Sequence, residues 1–117
     1  MARFRFQDLE IWKKAMQIAD RLFDIADELE RKKLFRFADQ LRGSGLSMSN
    51  NIAEGSGSHS KKVFARYLDI AHSSTFENAN VVIMLNRRKF IDEEEHDTLL
   101  DDLEHLSRMI TNFKKSL

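Results

Sequence analysis

The chain has 117 residues, the size of one domain. It holds no cysteine and no proline, 42% hydrophobic and 32% charged residues, and 19 basic against 19 acidic side chains. That composition excludes a disulfide framework, a thiolate metal site, a disordered chain and a surface coated in cations. No stretch reaches the roughly 18 uninterrupted apolar residues of a membrane span. Met1 to Asp8 carry no apolar leader core. A cytoplasmic protein with no membrane partner is expected.

The first predicted helix covers about 8–30. Leu9, Trp12, Met16, Ala19, Phe23 and Ala26 recur at spacings of three and four, the seam of a helix that packs on other helices. Ile11, Ala15, Ile18, Leu22, Ile25 and Leu29 repeat the spacing on an adjacent face. Two seams make about half the circumference apolar, wider than the ≳100° stripe of an ordinary surface helix. Such a helix must be covered on two sides, and Asp8 is its expected N-cap.

The second helix is predicted over 34–54, with Leu34, Phe37, Leu41, Met48 and Ile52 inward. Gly43-Ser44-Gly45 in its middle forms helix poorly and implies either a close backbone approach or a kink. Gly55 is the expected left-handed C-cap. The third helix, 60–88, has the seam Phe64, Leu68, Ala71, Thr75, Val82 and Leu85, interrupted by Asn78. Val81 to Leu85 is apolar all round, which places that end in a core or a subunit interface. The fourth, 92–115, opens on Asp92 as cap, with Glu95 placed to reach back as in a capping box. Leu99, Leu103, Leu106, Ile110 and Phe113 form its seam. Four helices with short turns predict an all-α, up-down-up-down four-helix bundle in a single domain, 1–117.

Charge balances overall but not locally. Residues 31–66 carry eight cations against two acids, and residues 91–104 carry eight acids with no Lys or Arg. Solvated faces account for both runs; contacts between oppositely charged subunits or partners are the alternative.

Four segments in order resemble a known bacterial family. They are Asp8-Leu9-Glu10-Ile11-Trp12-Lys13-Lys14-Ala15; Asn51-Ile52-Ala53-Glu54-Gly55; Ser60-Lys61-Lys62 with Phe64 and Arg66-Tyr67-Leu68; and Phe90-Ile91-Asp92. Together they resemble the small helical proteins first noticed in intervening sequences of large-subunit ribosomal RNA genes. The accessory variability protein of diversity-generating retroelements is similar to the same family. The resemblance implies a four-helix bundle assembled into a ring-like homopentamer, with no enzyme activity firmly attached. It also implies nucleic-acid binding in the strongly basic retroelement member, a carry-over that zero net charge weakens here. This chain departs from the family at Ser49, a usual proline, at Gly43 and Gly45, more often arginine and alanine, and at Lys89, a usual glycine.

The remaining polar residues offer few constellations with the spacing of a chemical site. Asp69…His72, Glu93…His96 and Asp102…His105 have the spacing of a di-metal carboxylate bundle, but the first helix lacks the matching inward carboxylate. No metal or cofactor is expected. The segment from Gly55 to Lys61 has neither the preceding strand nor the spacing of a phosphate loop. Glu77, in an apolar helix and aligned with a glutamate common in the family, reads as a structural carboxylate reaching Arg42 or Arg66. Asn51, Glu54 and Gly55 read likewise as structural.

A non-enzyme is therefore expected, with two candidate functions. The first is an oligomeric scaffold or adaptor for a protein partner. Its subunit contacts would come from Ile11, Ile18, Leu22, Ile25, Phe76, Ile83 and Met84. The second is nucleic-acid binding through Arg31, Lys32, Lys33, Arg36, Lys61, Lys62 and Arg66, which requires those cations to share one face.

Overall fold

The chain begins with a short 3-10 turn, Arg5–Asp8, before the first α-helix, α1, spans Glu10–Arg31. The computed structural model describes all residues, 1–117. Asp8 does not cap α1. Its carboxylate is taken by Arg3, whose Nη2 donates to Oδ1 at 2.7 Å, and that hydrogen bond lowers the Asp8 pKa. Leu9 stands at the N-cap with no side-chain bond to the helix.

Of the two apolar seams of α1, the one through Ile11, Ala15, Ile18, Leu22, Ile25 and Leu29 is the core. Trp12, Met16 and Phe23 are only half-buried on the flank. Ile11, Ile18, Leu22 and Ile25 are therefore not subunit contacts: they are 3%, 1%, 0% and 8% exposed within one chain. Two equal periodicities on one helix cannot say which faces inward; the packing partners decide. Leu22 meets α2 at Gly45, where a Cβ would lie 3.3 Å from Leu22 Cδ1. The small residues of α2, Phe35–Ser56, thus admit a close approach, and the helix runs through them unbroken.

Gly55 is not a left-handed cap, because α2 continues to Ser56 and no glycine has a positive φ. It is needed for space: a Cβ there would lie 2.8 Å from Phe64 Cδ1 and Tyr67 Cβ of α3, Lys61–Arg87. The left-handed positions belong instead to Lys33 and Lys89, each with φ 63°. Both close a helix in the same way. After α1, Lys33 N–H donates to the Glu30 carbonyl and Leu34 N–H to that of Leu29. After α3, Lys89 N–H donates to Asn86 and Phe90 N–H to Leu85. These paired bonds are Schellman motifs, in which glycine is the usual left-handed residue.

Ser60 caps α3, its Oγ accepting from Val63 N–H at 3.2 Å. Asp92 caps α4, Glu93–Lys115, accepting from Glu95 N–H at 2.8 Å. The Glu95 carboxylate does not complete the capping box; Arg21 of α1 holds it at 2.7 Å. The apolar run Val81–Leu85 is helical, and the chain contains no strand.

Short turns make successive helices antiparallel neighbours, so the architecture is four helices in up-down-up-down order around a core from all four. α1 and α4, which close the bundle, touch least of its neighbouring pairs. An ion network spans that seam: Asp102 accepts from Lys14 at 2.9 Å and from Arg21 at 3.1 Å, while Arg21 also reaches Glu95. No helix is long and apolar enough to cross a membrane.

Candidate functional site

The most polar buried region lies between α2 and α3. Asn78, fully buried, accepts from Ser44 Oγ at 2.8 Å and donates to the Ser44 and Ser74 carbonyls, both at 2.8 Å. One turn along, Ser47 Oγ and Ser74 Oγ stand 2.9 Å apart. Asn51 Nδ2 donates to the Ser47 carbonyl at 2.8 Å, and Gly55 meets Phe64 and Tyr67 beyond it. No buried side-chain polar atom lacks a partner, so this seam is a satisfied packing surface with no group held ready for a ligand.

That seam gives the structural residues their places. Gly55 faces α3, Asn51 bonds back to Ser47 of its own helix, Ile52 fills the core, and Glu54 points to solvent. Glu77 differs from expectation. It is exposed and accepts from Gln40 Nε2 at 3.2 Å. Arg42 is not its partner, being held by Asp27 at 2.7 Å and Glu30 at 3.0 Å; the Asp27 hydrogen bond leads in raising the Arg42 pKa. The buried Ser44–Asn78 pair went unforeseen, although Asn78 breaking an apolar seam was the signal for it.

The basic segment does not form one face. Arg31, Lys32, Lys33 and Arg36 lie at the start of α2, and Lys61, Lys62 and Arg66 lie past its far end. At about 1.5 Å per residue, 22 helical residues separate the groups by about 33 Å. The first group instead joins Arg87, Arg88 and Lys89 of the α3–α4 turn, and Phe37 against Phe90 pins the two turns together with ring centroids 5.8 Å apart. The second joins Lys114 and Lys115 at the end of α4, where Phe64 packs on Phe113. Continuity in sequence became separation in space because a long helix intervenes.

The histidine–carboxylate pairs also part company. Asp69 binds Lys114 at 2.7 Å, toward α4, and Asp102 binds Lys14 and Arg21 of α1. Glu93, His96 and Asp97 bring their ligand atoms within 4.8 Å of one another on one helical turn. His72 packs against Phe76.

The remaining candidates meet on the outer surface of α3. Phe76, Ile83 and Met84 are 63%, 42% and 44% exposed, high for large apolar side chains. Phe76 and Ile83 line a groove of about 400 Å³ with Ala79 and with Leu100 and Leu103 of α4. Asp101 and Glu104 edge it, and no Lys or Arg lines it. This groove can bind apolar side chains; it holds no nucleophile–base pair.

Residues 7–112 match the family described as 23S rRNA-intervening sequence proteins. A crystal structure of a protein of unknown function from the S23 ribosomal protein family of Bacteroides thetaiotaomicron VPI-5482 has the same fold. It superposes with a TM-score of 0.84 at 24% identity, covering 90% of this chain and 98% of that one. No curated protein matches the chain.

Proposed function

The chain belongs to the 23S rRNA-intervening sequence protein family, and from that premise we propose that it is a cytoplasmic, non-enzymatic scaffold that self-assembles and binds a protein partner. The observation that carries this reading is the exposure of Phe76, Ile83 and Met84 on α3. Scattered apolar residues are ordinary on a surface, but three large ones within nine residues beside an apolar groove point to contact with protein. A ring-like homopentamer is the assembly that the family resemblance suggests. The experiment is sedimentation velocity on the wild type and on Phe76→Glu. A wild-type multimer that shifts to monomer in the variant supports the proposal; a wild-type monomer refutes it.

One observation favours a second reading. Arg31, Lys32, Lys33 and Arg36 share an end of the bundle with Arg87, Arg88 and Lys89. Four phosphate contacts there would make log affinity for duplex DNA fall with log salt at a slope of roughly −3.6. Titration of duplex DNA and structured RNA at two salt concentrations tests it, with Lys32→Glu/Lys33→Glu in parallel. Binding abolished by that pair supports nucleic-acid recognition; no binding at low salt removes it.

A further inference from the structure

Along the α1–α4 seam, the loosest of the bundle, a groove of about 640 Å³ opens beside the α3–α4 turn. Its α1 wall runs from Arg21 to Lys32 at spacings of three and four, one face of about three helical turns, roughly 16 Å long. Ile25 and Leu29 of that face, with Phe90 and Ile91 of the turn, make an apolar floor. Phe90 is pinned by Phe37, and Arg21 bridges to Glu95 across the seam, so the groove is already formed in the unbound chain.

Both helices edge this floor with carboxylates. Asp24 and Glu28 stand one turn apart on α1, and Asp92, Glu94 and Glu95 line the groove from the start of α4. Arg21 and Lys32 are the only cations of the lining, one at each end of the α1 wall, and Arg21 is held by Asp102 and Glu95. Three of the five carboxylates are engaged within the chain: Glu95 holds Arg21, Glu28 holds Arg31, and Asp92 caps α4. Asp24 and Glu94, one on each helix, are exposed and make no ion pair or side-chain hydrogen bond. Such a lining repels phosphate, and a bare cation would leave the apolar floor uncovered.

We infer that this groove takes a basic amphipathic helix of a partner protein, its apolar stripe on the Ile25–Leu29–Phe90–Ile91 floor and its flanking cations toward Asp24 and Glu94. Two acidic edges about an apolar floor match a stripe with lysine or arginine along both sides. Three turns of α1 give room for about eleven helical residues of the partner. The inference rests on the protein-partner reading above and names that partner's chemistry. It uses the α1–α4 side of the bundle and leaves the outer surface of α3 to self-assembly.

Fluorescence anisotropy with a labelled synthetic peptide tests this on the full chain. The probe is a helix-forming peptide of about three turns, with leucines along one stripe and lysines on both flanks. At about 0.15 M salt, where screening acts within about 8 Å, it should bind one per subunit. Asp24→Lys/Glu94→Lys changes two exposed residues and should weaken binding more than about tenfold, because cations then face cations. Asp101→Lys/Glu104→Lys makes the same charge change on the other side of α4 and should leave binding unchanged. Circular dichroism checks that both variants keep their helices. No binding to the wild type, binding untouched by Asp24→Lys/Glu94→Lys, equal binding of a peptide with the same residues shuffled, or a loss confined to Asp101→Lys/Glu104→Lys would each overturn the assignment. Sedimentation of the same samples keeps the two readings apart. A monomer that binds the peptide refutes self-assembly alone, and a multimer that does not bind it refutes this inference alone.

Discussion

Ser44 and Asn78 clasp each other across the α2–α3 contact: the serine hydroxyl donates to the asparagine carbonyl, and the asparagine amide donates to the serine's own backbone carbonyl. Each bond is 2.8 Å long and buried. The second amide hydrogen goes to Ser74, so every polar atom of the Asn78 side chain is used. The pair thereby ties the two antiparallel helices together at one register.

Replacing Asn78 with alanine leaves a hole and removes the buried bonds across the contact, while the Ser44 hydroxyl keeps the Gln40 carbonyl at 2.8 Å. The expected loss is about 2–4 kcal/mol. Urea denaturation checks it, and Ser44→Ala/Asn78→Ala should cost less than the sum of the single changes. A loss below about 0.5 kcal/mol in Asn78→Ala, the range of neutral surface changes, would remove the clasp from the account.

The glycines of α2 should divide by position. Gly43 meets nothing within 4 Å, so Gly43→Ala should stabilise by the helix-propensity difference, about 1 kcal/mol. Gly55→Ala must push against Phe64 and Tyr67 and should destabilise by about 1–3 kcal/mol, as overpacking does. Thermal melts of the two variants should move in opposite directions; parallel shifts would contradict the packing role of Gly55.

Lys33→Gly and Lys89→Gly should each stabilise the fold by about 1 kcal/mol. Each lysine sits in a left-handed conformation at a Schellman closure, which glycine adopts without the Cβ clash. Denaturation midpoints read the gain. A loss in both variants would show that the lysine side chains contribute more than the backbone conformation costs.

The α1–α4 seam should be sensitive to salt. Arg21→Ala removes two of the three ion pairs on Asp102 and Glu95, for an expected loss of about 1 kcal/mol at low ionic strength, typical of networked surface charges. Repeating the denaturation at 1 M salt should shrink the difference between variant and wild type, since screening there acts within about 3 Å. An unchanged difference would assign the effect to lost packing.

Much of the fold was legible from spacing alone. The series Leu99, Leu103, Leu106 and Ile110 is buried as expected, and Asp92 caps α4 as its position before the helix implies. What stayed hidden were choices that only packing makes. Nothing in the period of α1 says that Ile18 is core while Met16 stays on the flank. Cations of one basic segment, such as Lys33 and Lys61, would need to share a face, and α2 sets them at opposite ends. Glycine at Gly55 suggested a turn, whereas neighbouring aromatic rings required the missing Cβ. Of the surface candidates, Ile83 and Met84 stood out because an apolar run longer than one face must leave part of itself outside.

The central claim is that the apolar surface of α3 exists to be covered by protein, beginning with other copies of the chain. Size-exclusion chromatography with multi-angle light scattering at micromolar concentration tests it most directly. The account predicts a multimer, five subunits by the family resemblance, that falls to monomer when Phe76 and Ile83 are both changed to Glu while helical content is retained. A wild-type protein that elutes as a folded monomer at every concentration would contradict it.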